Sequence, residues 1–384
     1  MRERPKTTPT NPYNPYQSSR QIAVDREVFV AHPFRRSLLV IPLLVALAAC
    51  SNGPGESPSG DAAASGEAGG ETALRLGYFP NVTHAAALVG IEDGVFSSAL
   101  DGIATLTTTP FNAGPAAVES ILTEAIDATF IGPNPAINAF AQSDGTAIRI
   151  VSGATSGGAF LVVRDGIDSA ADLAGTKLAT PQLGNTQDVA LRTWLGEQGY
   201  ATTLEGGGDV SILPQENAQT LATLQSGDID GAWVPEPWAT RLIEEGGGHI
   251  LVDERDLWPD SRYVTTHLIV RTAYLEEHPD AVEALLGALV EVTDRLGTDP
   301  AGSQALVNQG IETVTGKPLA EAVLSSAWGN LEFTVDPVAS SLATSAEHAT
   351  ELGLLDPVDL DGIYDLRLLN EVLAEGGKEP VSDQ

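Results

Sequence analysis

The chain has 384 residues, 42% of them hydrophobic, enough for one large core or two lobes. Its formal charge of −32 argues against holding nucleic acid or an anionic membrane surface by charge attraction. A single cysteine excludes an internal disulfide and the Cys₄ and Cys₂His₂ types of zinc site.

Residues 1–34 show no helix or strand period and read as an extended prefix or a start site set too far upstream. Arg35 and Arg36 then head an apolar run, Ser37 to Ala49, that closes in Leu47-Ala48-Ala49-Cys50. The run is too short to cross a bilayer and has the layout of a cleaved export signal. It is similar to a bacterial lipoprotein signal, which implies residues 1–49 as prefix and signal peptide and Cys50 as the acylated residue. The arginine pair also suits twin-arginine export. Residues 50–71 are rich in Gly, Ser, Pro and Ala without apolar periodicity, a flexible tether that spans roughly 25 Å on average.

From Ala73 onward, short apolar runs alternate with helical patterns. The runs at Leu74–Phe79, Ala104–Pro110, Ala128–Gly132, Ile148–Gly153 and Phe160–Arg164 predict strands. A second set follows at Lys177–Thr180, Val210–Leu213, Gly231–Val234, Ile250–Val252 and Val264–Arg271. Leu191, Trp194 and Leu195 recur at helical spacing and predict a buried stripe. This alternation predicts an α/β fold with parallel sheets covered by helices, and after Pro279 the pattern turns almost wholly helical. An internal echo accompanies it. The stretch from Ala116, through Ile126-Asp127 and Phe130-Ile131 to Pro133-Asn134-Pro135, matches the stretch from Ala218, through Ile229-Asp230 and Trp233-Val234 to Pro235-Glu236-Pro237. Each copy reads helix, turn, strand, P-x-P, helix, which suggests two lobes on one plan.

In α/β sheets, ligands gather beyond the carboxyl ends of strands. The loops expected there are Tyr78–His84, Pro110–Pro115, Ile131–Pro135, Gly153–Gly158, Thr180–Asp188, Pro214–Asn217 and Val234–Trp238. They are rich in Asn, Thr, Ser, Gln and Gly, and hold no Arg or Lys. Helix N-termini with neutral side-chain donors form an anion site without a cation, although Asn185 or Thr186 could equally serve as a plain helix cap. His84 reads either as a donor to an oxyanion or as a surface or capping residue. Asp188 and Glu236 read as balancing a helix dipole or as partners for the ammonium of a zwitterion. Trp233 reads as core, Trp238 as a wall of the ligand site or as packing, and Thr265-Thr266-His267 as packing at a hinge.

The runs GYFPNVTHAAALVGIEDGVF, FNAGPAAVESIL, IDATFIGPNPAINAF, ATPQLGNTQDVALRTWL, AWVPEPWATRL and VDERDLWP resemble the solute-binding lipoproteins of ABC importers in the nitrate/sulfonate/taurine group. The aliphatic-sulfonate-binding family is the nearest match, from about Leu74 to Gly376. The resemblance implies a type II-like periplasmic-binding fold: two α/β lobes, a ligand cleft between them and a helical C-terminal region. By that analogy lobe 1 is residues 72–165 plus 266–384 and lobe 2 is 166–265, with crossings near Arg164–Gly166 and Val264–His267. It implies cleft positions at Asn81, Thr83, His84, Asn134, Ser156, Gly157, Gln182, Asn185, Thr186, Gln187 and Glu236, to which Asp188 and Trp238 are added. It further implies a monomer anchored by lipid at the extracytoplasmic face. A small anion is captured there and passed to an ABC permease and its ATPase subunits, with no cofactor, metal or nucleic acid.

Three rivals stand beside this. No G-x-S-x-G or H-E-x-x-H occurs, the six histidines are scattered, and Pro318 follows Gly316-Lys317 where a phosphate loop needs Ser or Thr, all of which disfavours an enzyme. An uncharged aromatic solute, such as a thiamine-pyrimidine precursor, would stack on Phe79, Phe160 and Trp238. A ligand sensor would dock on a receptor in place of a permease.

Overall fold

A computed structural model describes residues 72–383, so the expected signal peptide, Cys50 and the tether lie outside the described residues. Eleven strands are present among them: β1 (Ala73–Tyr78), β2 (Thr105–Pro110), β3 (Ala128–Ile131), β4 (Ile148–Gly157), β5 (Ala159–Val163), β6 (Lys177–Thr180), β7 (Ser211–Pro214), β8 (Gly231–Pro235), β9 (His249–Asp253), β10 (Val264–Arg271) and β11 (Leu331–Phe333). They form a six-stranded sheet, β11-β4-β10-β3-β1-β2, and a five-stranded sheet, β7-β6-β8-β5-β9.

Both sheets carry apolar side chains on both faces, because helices cover each face. In β10, Leu268 and Val270 pack under the helices Ala85–Glu92 and Pro279–Thr298, while Ile269 faces the other way, toward Ile137 and Phe140 of the helix Pro133–Gln142. In β5, Leu161 and Val163 join Trp194 and Trp233 on one face, and Phe160 and Val162 join Leu221 and Leu242 on the other. The helix Thr186–Glu197 buries the stripe Leu191, Trp194 and Leu195, with the Trp194 ring 6.1 Å from that of Trp233. Burying each such side chain contributes about 1.5–3 kcal/mol of transfer free energy.

The sheets are mixed, not parallel as the alternation predicted. The pairs β1–β2, β1–β3, β6–β7 and β6–β8 are parallel. Strand β10 runs antiparallel between β3 and β4, and β5 runs antiparallel between β8 and β9. Parallel neighbours need a crossover helix. These two strands instead carry the chain directly from one sheet into the other, so they enter from the opposite end.

The first change of sheet falls at Gly158 between β4 and β5, so residues 159–165 depart from the expected lobe boundary near Arg164–Gly166. Gly157 and Gly158 both take left-handed φ, 77° and 76°, which a side chain would resist. A Cβ on Gly158 would also collide with the side chain of Leu331. The chain re-enters the first sheet at Val264.

The echo in the sequence corresponds to a repeated construction. The shared strand order is β2-β1-β3-β10-β4 in one sheet and β7-β6-β8-β5-β9 in the other. Asp127 accepts from the Arg75 N–H of β1 at 3.0 Å, and Asp230 accepts from the Lys177 N–H of β6 at 2.7 Å. Each aspartate also holds an arginine at the end of the antiparallel strand, Arg271 at 3.0 Å and Arg164 at 2.6 Å.

Candidate functional site

The carboxyl ends of β1, β2, β3 and β6 each lead into a helical turn, and these turns converge on one small cavity between the two sheets. The turn Val82–His84 and the helix Gly114–Leu122 reach it from the first sheet, as does Gly132 at the cap of the helix Pro133–Gln142. Asn185, Thr186 and Gln187 reach it from the second. The cavity is about 30 Å³, room for one or two waters, so the two sheets are closed on each other. A Cβ on Gly132 would lie 2.5 Å from Thr186 Oγ1 across the seam.

The polar groups left to this cavity are donors. Asn185 Oδ1 caps its helix by accepting the Asp188 N–H at 3.0 Å, and Asn185 Nδ2 donates to Gln187 Oε1 at 3.2 Å, which leaves Gln187 Nε2 to the cavity. Asn81 Oδ1 accepts from the Trp238 indole at 3.0 Å, leaving Asn81 Nδ2. The hydroxyls of Thr83 and Thr186 make no hydrogen bond among the described residues. The Phe79 N–H donates to His84 Nδ1 at 3.3 Å, which puts the ring proton on Nε2, facing the cavity. Full burial lowers the His84 pKa to about 3, so the imidazole stays neutral. No Arg or Lys lines the cavity.

Asn81, Thr83, His84, Asn185, Thr186 and Gln187 are therefore brought together, and the other expected positions are not. Asp188 is fully buried and both its oxygens are used: Oδ1 accepts from Thr180 Oγ1 at 2.8 Å, and Oδ2 from the Gly184 N–H at 3.0 Å and Arg192 Nε at 2.9 Å. Glu236 accepts from Thr240 N–H and Oγ1 and, across the seam, from Asn330 Nδ2 at 2.7 Å. Burial raises its pKa. Neither carboxylate has an oxygen free for a ligand ammonium. Asn134 donates to the Ser345 carbonyl at 3.1 Å, and Gln182 is half-buried off the cavity. Ser156 and Gly157 belong to the crossing: they pair with β11, and the Gly157 carbonyl accepts from Thr265 Oγ1 at 2.5 Å. Trp238 borders a separate outer chamber.

Thr265 and Thr266 line the cavity although their position inside a strand pattern gave no sign of it. Both also brace it, since Thr266 Oγ1 donates to the Thr83 carbonyl at 3.1 Å. His267 next to them is packing, bonded through Nε2 to the Pro337 carbonyl at 3.0 Å. The three-ring aromatic platform does not assemble: Phe79 lines the cavity, stacked on His84 at 4.4 Å, but Phe160 is core and Trp238 borders the outer chamber.

Residues 67–309, more than half of the chain, match the NMT1-like family. The nitrate/nitrite binding protein NrtA of Nostoc sp. is 27% identical over 125 residues, 33% of this chain and 27% of that protein. The taurine-binding periplasmic protein of Escherichia coli is 25% identical over 191 residues, 49% of this chain and 56% of that protein. The chain thus spans about a quarter to just over half the length of these relatives. Among solved structures, the alkanesulfonate-binding protein SsuA from Xanthomonas axonopodis pv. citri superposes with TM-score 0.62 at 21% identity, covering 75% of this chain and 96% of that one. The periplasmic nitrate-binding protein NrtA from Synechocystis superposes with TM-score 0.66 at 18% identity, covering 79% and 89%. These neighbours share its two-sheet α/β fold, and the sequence match assigns the chain to the NMT1-like family.

Proposed function

We propose that this chain is the extracytoplasmic solute-binding component of an ABC importer, and that it captures a small oxyanion: a nitrate-like ion, or the sulfonate head of an aliphatic sulfonate or taurine. The observation that carries this reading is the set of Asn81 Nδ2, Thr83 Oγ1, His84 Nε2, Thr186 Oγ1 and Gln187 Nε2, donors from both sheets around one cavity with no cation. Nitrate and sulfonates stay ionised at every physiological pH, so neutral donors suffice and no proton must be exchanged. Helix starts add partial positive charge from their free N–H groups.

In this reading the lobes are the bodies of the two sheets, hinged at Gly157-Gly158 and before Val264. A ligand that bonds both sides stabilises the closed form by its differential contacts. That form docks on a membrane permease served by ATPase subunits, and lipid on Cys50 keeps the body nearby. The relatives' names, nitrate/nitrite binding and taurine-binding, support the anion class. A thermal-shift screen of the purified protein tests the reading. Nitrate, methanesulfonate or taurine at a hundredfold excess over Kd should add about 2.7 kcal/mol of stability. A shift from a thiamine-pyrimidine precursor and none from any anion would overturn it.

A further inference from the structure

A second chamber, of about 690 Å³, lies against the closed cavity; Asn81 borders both, and Trp238 borders the outer one. Their hydrogen bond, indole Nε1 to Asn81 Oδ1 at 3.0 Å, joins the helix after β8 to the loop after β1 and so spans the seam. The indole is held by two charged residues that also line this chamber. The Arg241 guanidinium sits 4.6 Å from the Trp238 ring centroid, and Glu245 fixes it through Nε at 2.7 Å and Nη2 at 3.1 Å. The outer chamber has the size of a ligand site, and its lining includes Leu319 and the edge of the buried Ile311 besides Trp238. The inner cavity, at about 30 Å³ in this form, is much the smaller of the two.

We propose that Trp238 is a specificity-determining gate. While its indole is bonded to Asn81, the inner cavity accepts only a compact oxyanion. An oxyanion with an apolar tail binds by breaking that bond and laying the tail in the outer chamber, along Trp238, Ile311 and Leu319. Arg241 and Glu245 are positioning residues: they hold the ring in the closed rotamer and touch no ligand head. This inference rests on the oxyanion reading above and adds to it a ranking of ligands by tail.

Calorimetric titration of the full chain with methanesulfonate and with hexane-1-sulfonate tests it. Wild type is expected to favour methanesulfonate. Trp238→Ala should move the affinity ratio about tenfold toward hexane-1-sulfonate, the worth of one hydrogen bond across the seam. Trp238→Phe keeps the ring for the tail and loses the N–H, so it should move the ratio at least as far. Arg241→Gln should move it in the same direction by about threefold through the loosened ring, as expected for one stacking contact. Melting of each ligand-free variant reports folding independently. A ratio unmoved within twofold in both Trp238 variants, with wild type binding methanesulfonate, overturns the gate alone. A wild type that binds no oxyanion overturns the functional reading and the gate with it.

Discussion

An alanine at Gly132 would put its Cβ 2.5 Å from Thr186 Oγ1, about 0.9 Å inside the 3.4 Å at which ordinary contact begins. The backbone tolerates the change, since Gly132 has φ −72° and ψ 162°. Gly132 follows β3 of the first sheet and Thr186 opens a helix of the second, so the collision exists only while the cleft is closed. Either the sheets separate by that distance or Thr186 turns its hydroxyl away, and in both cases one of the donor contacts is lost. A hydrogen bond to a charged acceptor contributes about 1.5–3 kcal/mol, so Kd for the oxyanion should weaken about 10- to 100-fold. The ligand-free melting temperature should stay within about 2 °C, because an open cleft has room for the methyl group. Calorimetry and melting on the same samples decide the matter. An unchanged Kd, or a melting loss as large as the binding loss, would refute the closed-cleft geometry.

Asp188→Asn should leave the affinities for taurine and for an alkyl sulfonate in unchanged proportion. It should instead destabilise the fold by about 3–5 kcal/mol in a denaturant melt, because it strands the fully buried Arg192. Burial lowers the pKa of His84 to about 3 and of His267 to about 4 from an ordinary 6.5. The unfolded chain therefore binds more protons at these two sites, and stability is lost as pH falls below 6.5. Burial raises Glu254 to about 7, which acts in the opposite direction between pH 4.5 and 7. Glu236, also raised by burial, acts with Glu254, so Glu254→Gln should steepen the loss of stability in melts from pH 6.5 to 4.5. With a formal charge of −32, the chain repels its ligand at long range, so added salt should speed association in stopped-flow mixing. A rate that falls steeply with salt would contradict capture by local dipoles.

Much of the fold is legible because its signals are local. The apolar runs of β1, β3, β6, β8 and β10 stand between helical patterns, and the Leu191–Trp194–Leu195 stripe names its own buried face. The direction of β5 and β10 is not legible, since nothing in an apolar run says that it crosses from one sheet to another. Strand β11 is three residues whose pairing depends on the distant β4. The site divides in the same way. Asn185, Thr186 and Gln187 follow from the rule that ligands gather beyond strand ends. Asp188 is one residue further, and a helix turns about 100° per residue. That turn carries its carboxylate from the cavity into an ion pair with Arg192. Thr265 and Thr266 reach the cavity only because β10 passes through the seam, a fact of tertiary structure.

The most direct test of an oxyanion cradle made of neutral donors compares each anion with an uncharged molecule of nearly its shape. Calorimetry of the purified protein with nitrate against nitromethane, and with methanesulfonate against dimethyl sulfone, isolates the charge. Binding of at least one anion, with no measurable binding of its neutral twin, is the predicted result. Equal binding of a neutral twin, or heat from neither anion, would contradict the account.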